Sequence, residues 1–553
     1  MLSSLTTQLA LAAVAGVWTH AFYFNRGEHH MYGFRYLQLG TLSWILGVAL
    51  YYRFSTHNTT TLSTAIYNST LLHSTYLFGI YTSLLLYRLF LNPLNKLPGP
   101  FDSKISSLTH SWRVRQGNGH IHLANLHAQY GPIVRIGPGV VSVAHPDSTE
   151  IIQGPRTKCV KGPNYDVTLP YTSLFAARDP KVHAARRKVW NPAFSEKAIK
   201  GYNERIRGYQ DRLISKLAEQ EGKPVNISRW LLWYSFDVMG DMAFGQSYNM
   251  IETAQNHWAI DLQEAGLKPV SWMLPMWFFK LFQDIPFAAK DWHTHWAFCK
   301  ERLIERIQNT PDIADIMSFL LSGYKTKDRR LADLSRDEMN LLLGEAQLII
   351  TAGSDTSAEN ETAIMYYLVK NPDQMEKLRE ELAPLWAARD FQATGIEPEK
   401  LATLPHFNGV INEALRLLPP VPANLIRHTP PEGITIGGTY IPGGVDLWNT
   451  QYAMGRDERN YVDAEKFIPE RWYSKPELVK NPRAFVPFTI GPYNCIGKPL
   501  ALMNIRSVIS KLVCNFDISF APGEDGSKVE TEAVDHFVLG LGPLKLVLKQ
   551  RVL

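Results

Sequence analysis

The feature that most limits how this chain can fold is a helical pattern opened by Ser335-Arg336-Asp337-Glu338 and stopped by Asn371-Pro372. A hydroxyl at the cap and a carboxylate three residues on answer the free N–H groups of a first turn. Proline then ends the run, since it cannot supply the next donor. About 35 residues at 1.5 Å each make a rod about 52 Å long, enough to cross a whole domain. In its middle stand Ala352-Gly353-Ser354-Asp355-Thr356-Ser357. Glycine costs about 1 kcal/mol here relative to alanine, and the Thr356 hydroxyl competes for the Ala352 carbonyl one turn back, so the helix is expected to kink or open. A carboxylate beside an alcohol at such a point can carry protons in a low-polarity cavity. A strained helix with its polar groups in solvent is the plainer alternative, made less favourable by the apolar run at 348–350.

A second stretch, Phe488-Thr489-Ile490-Gly491-Pro492-Tyr493-Asn494-Cys495-Ile496-Gly497, puts one cysteine on a glycine-rich loop. From Gly497 onward the apolar spacing is helical, so Cys495 sits near a helix N-terminus, which favours an anion, and thiolate is the form that binds metal. Burial as an inert thiol is the commoner fate of a lone cysteine. The four cysteines, Cys159, Cys299, Cys495 and Cys514, lie far apart with no CxxC pair, so neither a disulfide framework nor a zinc cluster is indicated. A balance of 57 basic against 52 acidic residues argues against a nucleic-acid binder driven by a broad basic surface.

The first 25 residues carry no Lys, Arg, Asp or Glu, and residues 4–24, 36–52 and 71–91 read as three candidate membrane-spanning helices. A cleaved signal peptide is the rival for the first, but the positive start it needs is missing. If all three cross, 53–70 face away from the main body and carry the sequons at Asn58 and Asn68; Asn226 and Asn360 show that such triplets also arise by chance. The expected organisation is a membrane anchor over 1–96 and a cytosolic body over 97–553. Leu97-Pro98-Gly99-Pro100 reads as a stiff hinge between them.

Strands are expected at 133–137 and 140–143, joined by Gly137-Pro138-Gly139, and most of the rest reads as helix. In the basic helix around 183–190, His183 and Arg187 share a face, by spacing alone a solvated one. The aromatic and Met-rich run 269–287 is more often core than membrane-dipping surface. Glu413 and Arg416 lie three apart on a helix stopped by Pro419-Pro420 and can pair. Phe467-Ile468-Pro469-Glu470-Arg471-Trp472 adds an arginine flanked by aromatic residues.

These pieces, in this order, resemble the motifs of the cytochrome P-450 family, the haem-thiolate monooxygenases, over roughly residue 98 to the C-terminus. The run Ala352 to Thr356 resembles the family's oxygen-activating helix motif, Glu413-Ala414-Leu415-Arg416 its ExxR helix, 467–472 its PERF-like segment and 488–497 its haem loop. One such motif is a modest signal; four in order are a strong one. The resemblance implies a mainly α fold with small β-sheets and haem b held through Cys495, a ligand that favours O–O cleavage. It implies that Asp355 and Thr356 relay protons, and that Glu413, Arg416 and Arg471 form a fold-locking triad. Phe488, Gly491, Tyr493 and Gly497 would cradle the haem. His183, Arg187 and Arg427 would meet its propionates, which reverses the solvated reading of the first two. One departure stands out: Tyr493 occupies the place where the family usually has Arg or His, so haem retention is expected to lean on Arg187 and Arg427.

The function so implied is that of a membrane-bound fungal enzyme of microsomal type. It takes electrons from NADPH through cytochrome P-450 reductase, with cytochrome b5 as a further donor, and inserts one oxygen of O2 into a lipophilic molecule of secondary metabolism. Lys188 and Lys498 flank the thiolate side and suit an acidic reductase surface, or are simply solvated. The lining segments implied, 163–173, 272–287, 348–353, 421–425 and 536–539, are mostly apolar. The rivals are a reductase-independent isomerase or dehydratase of the same fold, disfavoured by the intact Asp355-Thr356 pair, and a non-enzymatic membrane haem-binding protein.

Overall fold

Both helix signals of the long rod are met in the computed structural model: Ser335 accepts the Glu338 amide and the Glu338 carboxylate accepts the Ser335 amide, and the helix runs unbroken over Arg336–Lys370. The structure describes residues 4–54, 61–285, 289–309, 311, 313–324, 334–388, 395–423 and 425–551. The chain divides into two units: residues 1–111, 135–140 and 274–290 form one, and 112–134, 141–273 and 291–553 the other.

In the second unit the rod is the axis of the core. Helices Ile227–Phe244, Pro405–Leu417 and Lys498–Asn515 pack on it, and most of its side chains from Leu342 to Val369 are buried. The mid-helix glycine serves this packing, since a Cβ at Gly353 would come within 2.5 Å of the Met239 side chain. The expected opening is therefore not a break in the helix. Thr356 does turn its hydroxyl onto the Ala352 carbonyl, at 2.7 Å. Strands form at Ile133–Gly137 and Val140–Val143. A sheet continues from Val140–Val143 through Asp446–Asn449 and Arg427–His428 to Val160–Lys161, with Lys161 directly opposite Arg427 on an antiparallel ladder. The body is thus mainly helical with small sheets.

The first unit holds helices Leu5–Thr19, Gly33–Phe54 and Leu62–Leu86. The first and third approach closely at paired glycines: a Cβ at Gly16 would meet the Tyr76 carbonyl at 2.2 Å, and one at Gly79 the Ala13 carbonyl at 2.2 Å. Among the described residues no helix is long and apolar enough to cross a membrane, which corrects the three expected spans. The first helix has 15 residues, about 22 Å against a hydrocarbon core of about 30 Å. The other two are long enough but diluted, one by Arg35, Gln38 and Arg53, the other by Asn68, His73 and several Ser and Thr. Asn58 lies outside the described residues. Asn68 falls in the third helix, where the sequon's Ser69 is buried and donates to the Trp44 carbonyl at 3.0 Å, so it is not on the loop a glycan acceptor favours.

The expected hinge is pinned: the Arg135 amide donates to the Pro98 carbonyl at 2.8 Å. Helix Met276–Asp284 buries Met276 and Phe279 but exposes Trp277, Phe278 and Phe282, so the aromatic run is only half core.

Candidate functional site

The cysteine loop is held open by backbone geometry. Gly491 has φ +71°, and a Cβ there would strike the Gln153 carbonyl at 2.3 Å, so both conformation and crowding demand glycine. The Cys495 amide donates back to Phe488 O at 2.9 Å, and the ring of Phe488 lies 5.6 Å from Lys498 Nζ. Cys495 is exposed, yet it lies deep enough for burial to push its thiol up, against the pull of the Gly497 and Lys498 amides and the Arg187 charge. A side chain that is both deep and accessible faces an internal space. Ala352, exposed in the otherwise buried middle of the long helix, does the same. A Cβ at Gly497 would stand 3.8 Å from Cys495 Sγ, in the space beside the thiol.

Cations gather next to this loop. Lys161 and Arg427, both buried, face one another across the ladder, where like charges are destabilising unless something answers them. Tyr493 lies between them, its ring 5.1 Å from Lys161 Nζ and 4.9 Å from the Arg427 guanidinium. Among the described residues their hydrogen-bond acceptors are neutral, Leu174 O and Phe175 O to Lys161 at 3.0 and 2.6 Å, Tyr165 Oη and Ile426 O to Arg427 at 2.7 and 3.0 Å, while the Glu345 carboxylate acts on Lys161 without bonding it. Arg427 Nε is buried without a partner. Burial, followed by the Arg427 charge, pushes Lys161 down to about 6. His183 is buried, edge-on to Tyr493 at 4.7 Å, and burial with Lys161, Arg187 and Arg427 pushes it down to about 4. Cations facing each other with an orphaned guanidinium N–H make a receptor for a dianion, and the donor set fits haem propionates next to a thiolate ligand.

Arg187 stands beside this group, its charge acting on both Lys161 and His183. Its guanidinium grips Asn494, donating to the backbone oxygen at 2.6 Å and to Oδ1 at 2.8 Å, so it fixes the residue next to the cysteine. No motif marks Lys161 or Tyr165. The available signal was a lysine before Gly162-Pro163 in a strand-length run.

Along the long helix, Asp355 and Glu359 are one turn apart and therefore on one face. Burial pushes Asp355 up to about 7, with the Glu264 charge adding to it, and pushes Glu359 up to about 8, against the Leu541 amide that donates to it at 2.9 Å. The Arg229 charge pulls Glu359 the other way.

The Glu413 centre is the opposite case. Arg416 donates to both of its oxygens at 2.9 and 2.7 Å, Arg471 to Oε1 at 2.8 Å, and the Ile468 amide and Trp472 Nε1 complete the set at 2.9 and 2.8 Å. Three backbone carbonyls, of Gly455, Ala464 and Lys466, take the remaining Arg416 hydrogens, and the Tyr461 ring lies 5.0 Å from Arg416 and 5.8 Å from Arg471. All three charged side chains are fully buried, and this carboxylate joins two distant segments of the chain.

Fold and site together define a cysteine-centred cavity crossed by one long helix, the arrangement of a haem-thiolate protein. A family model described as Cytochrome P450 matches residues 98–548, and the chain belongs to that family. It is 42% identical over 547 residues to Tryprostatin B 6-hydroxylase of Aspergillus fumigatus, covering 98% of this chain and 96% of that one. It is 41% identical to cytochrome P450 monooxygenase notG' of Aspergillus versicolor, covering 99% of each. To monooxygenase lcsK of Purpureocillium lilacinum it is 38% identical, covering 98% of each. The chain is thus a cytochrome P450 monooxygenase with fungal relatives, an oxygen-incorporating oxidoreductase whose family binds haem through a thiolate.

Proposed function

We propose that this chain hydroxylates a lipophilic small molecule of fungal secondary metabolism, using haem b held by Cys495 and electrons from NADPH through cytochrome P450 reductase, with cytochrome b5 as a further donor. The observation that carries this is the deep but accessible Cys495 thiol beside buried cations that lack a carboxylate partner. Bound haem would supply O2 binding and oxygen transfer; every other task falls to side chains. Arg427, Lys161 and His183 would hold the propionates, with Tyr493 Oη as a weaker donor, and Arg187 would hold Asn494 so that the cysteine keeps its aim. Asp355 and Thr356 would pass protons to the oxygen site, and Glu413, Arg416 and Arg471 would lock the fold. Phe175 packs tilted against Tyr165 at 5.0 Å and edge-on with Phe537 at 5.5 Å, and offers an aromatic wall for an apolar substrate. Tryprostatin B, in the name of a relative, is a reasonable first probe.

We place the catalytic domain, 97–553, in the cytosol at the endoplasmic reticulum membrane. Membrane contact comes from outward apolar side chains of the first unit such as Trp18, Leu42, Phe78 and Phe90 rather than from a spanning helix. One experiment tests both readings. Microsomes carrying the chain should give the thiolate-type Soret band in the reduced carbon-monoxide difference spectrum, and those carrying Cys495→Ala should not. A wild type without the band overturns the haem-thiolate reading, and a band found only in the soluble fraction overturns the placement.

A further inference from the structure

Lys161 has more to do than complete a cluster of cations. An ammonium carries three N–H groups. Two of those on Lys161 go to backbone carbonyls of one short segment, Leu174 O at 3.0 Å and Phe175 O at 2.6 Å. Among the described residues no other acceptor is bonded to it, which leaves the third N–H for a bound group. The rings of Tyr493, Tyr165 and Phe175 close around the same nitrogen at 5.1, 5.3 and 5.7 Å, and Arg427 faces it across the ladder. A buried ammonium with a donor to spare, next to a guanidinium whose Nε is unpartnered, is completed by an anion that takes a hydrogen from each.

The segment that Lys161 holds carries the wall proposed for the substrate. Leu174 is fixed at both backbone groups: its carbonyl accepts Lys161, and its amide donates to Glu345 of the long helix at 3.3 Å. The Glu345 carboxylate also accepts Arg186 Nε at 3.0 Å, so its charge is engaged on the helix side of the segment. Two residues before Leu174 the backbone lies directly on that helix, since a Cβ at Gly344 would stand 2.0 Å from Thr172 O. Phe175 follows this anchored stretch, half-buried, and meets Phe537 edge-on at 5.5 Å. One side chain therefore bonds the wall while sharing the Tyr493 ring with Arg427.

We propose that Lys161 is a positioning residue that ties the substrate wall to the cofactor: two N–H groups hold the segment of Phe175, and the third meets a haem propionate. This deepens the proposed function and rests on haem b bound through Cys495. With only one of these tasks Lys161 would be a loop staple or a propionate ligand. With both, loading haem fixes the wall, and a loosened wall releases haem sooner.

The test uses the full-length, haem-loaded enzyme in wild type, Lys161→Met and Arg427→Ala. Two measurements need no turnover: haem transfer to apomyoglobin, and amide deuterium exchange over residues 172–177. Methionine keeps an apolar side chain of similar length and removes all three donors. Lys161→Met should speed haem transfer by about tenfold or more, the lower range for one charged hydrogen bond. It should also speed exchange over 172–177 by about fivefold or more, the range for a lost backbone tie. Arg427 donates to Tyr165 and Ile426 and not to the wall segment, so Arg427→Ala should speed haem transfer and leave exchange there as in wild type. Where Lys161→Met retains too little haem to be measured, Lys161→Gln takes its place, with two N–H groups and no charge; faster haem transfer is expected again, and the wild-type rate overturns the proposal. Faster exchange with haem transfer as in wild type makes Lys161 a loop staple and overturns the proposal. Faster haem transfer with unaltered exchange makes it a propionate ligand alone and overturns it as well. So does an Arg427→Ala that loosens 172–177 as much as Lys161→Met, since the wall would then follow any weakening of haem. A wild type without the thiolate-type band is a separate outcome, which defeats the haem reading itself.

Discussion

Two sets of buried acids in the catalytic body are treated in opposite ways. Glu413 receives five hydrogen bonds, from two guanidinium groups, a backbone amide and an indole. Asp355 and Glu359, on a helix of the same core, are pushed up by burial and by the negative charge of Glu264. Burial is common to both, so burial alone does not decide whether a carboxyl group holds a charge or a proton. The charges within reach decide it: two guanidinium groups make Glu413 a structural tie, and a like charge favours the protonated form at the other pair.

The largest effect should come from the tie. Glu413→Gln leaves Arg416 and Arg471 buried without their counter-ion and should lose about 3 to 5 kcal/mol, read as a fall in the urea midpoint of the haem-loaded enzyme or in haem-loaded protein recovered. A loss below about 1 kcal/mol would mean that the two arginines are satisfied by the surrounding carbonyls alone, and the contrast would collapse. The haem-side cations extend the comparison, being charges that, among the described residues, hydrogen-bond to neutral acceptors. Arg427→Ala should weaken haem retention by about 1.5 to 3 kcal/mol, the worth of a charged hydrogen bond, measured as faster haem transfer to apomyoglobin. Tyr493→Arg should hold haem at least as tightly as wild type. Unchanged transfer in Arg427→Ala would shift the load to Lys161.

The smallest effect is a slope. Burial moves Asp355 from its ordinary 3.8 to about 7, so between those values the folded protein keeps a proton that the unfolded chain has released. Stability contributed by this group therefore falls as pH rises through that window, at up to about 1.4 kcal/mol per pH unit. Urea unfolding of wild type and Asp355→Asn across that range should show wild type losing stability relative to the variant as pH rises. Parallel curves would show an ordinary, ionised aspartate.

Much of this was legible in local sequence. Ser335, Glu338 and Asn371-Pro372 set the ends of the long helix because caps and prolines act within one turn. The i, i+3 spacing placed Glu413 beside Arg416, and the order of four motifs pointed to the family. The N-terminal spans were misread because long uncharged runs were weighed without the hydroxyl and amide residues that dilute them. The grip of Arg187 on Asn494 was not legible there, since helical spacing gives a face but not the partner that the tertiary structure brings to it.

What the sequence by itself determined is which elements form and which chemistry they carry: a thiol on a glycine loop, an acid beside an alcohol in mid-helix, an acid and an arginine one turn apart. The tertiary structure alone decided the charge state and the use of each group. Lys161 and Arg427 are 266 positions apart in the chain and became a receptor only when a strand ladder set them opposite each other. Glu359 looks like any helical glutamate until the packing of the fold pushes its carboxyl group up to about 8. Protonation and pairing depend on distances across the fold, and those are fixed only when the chain has packed.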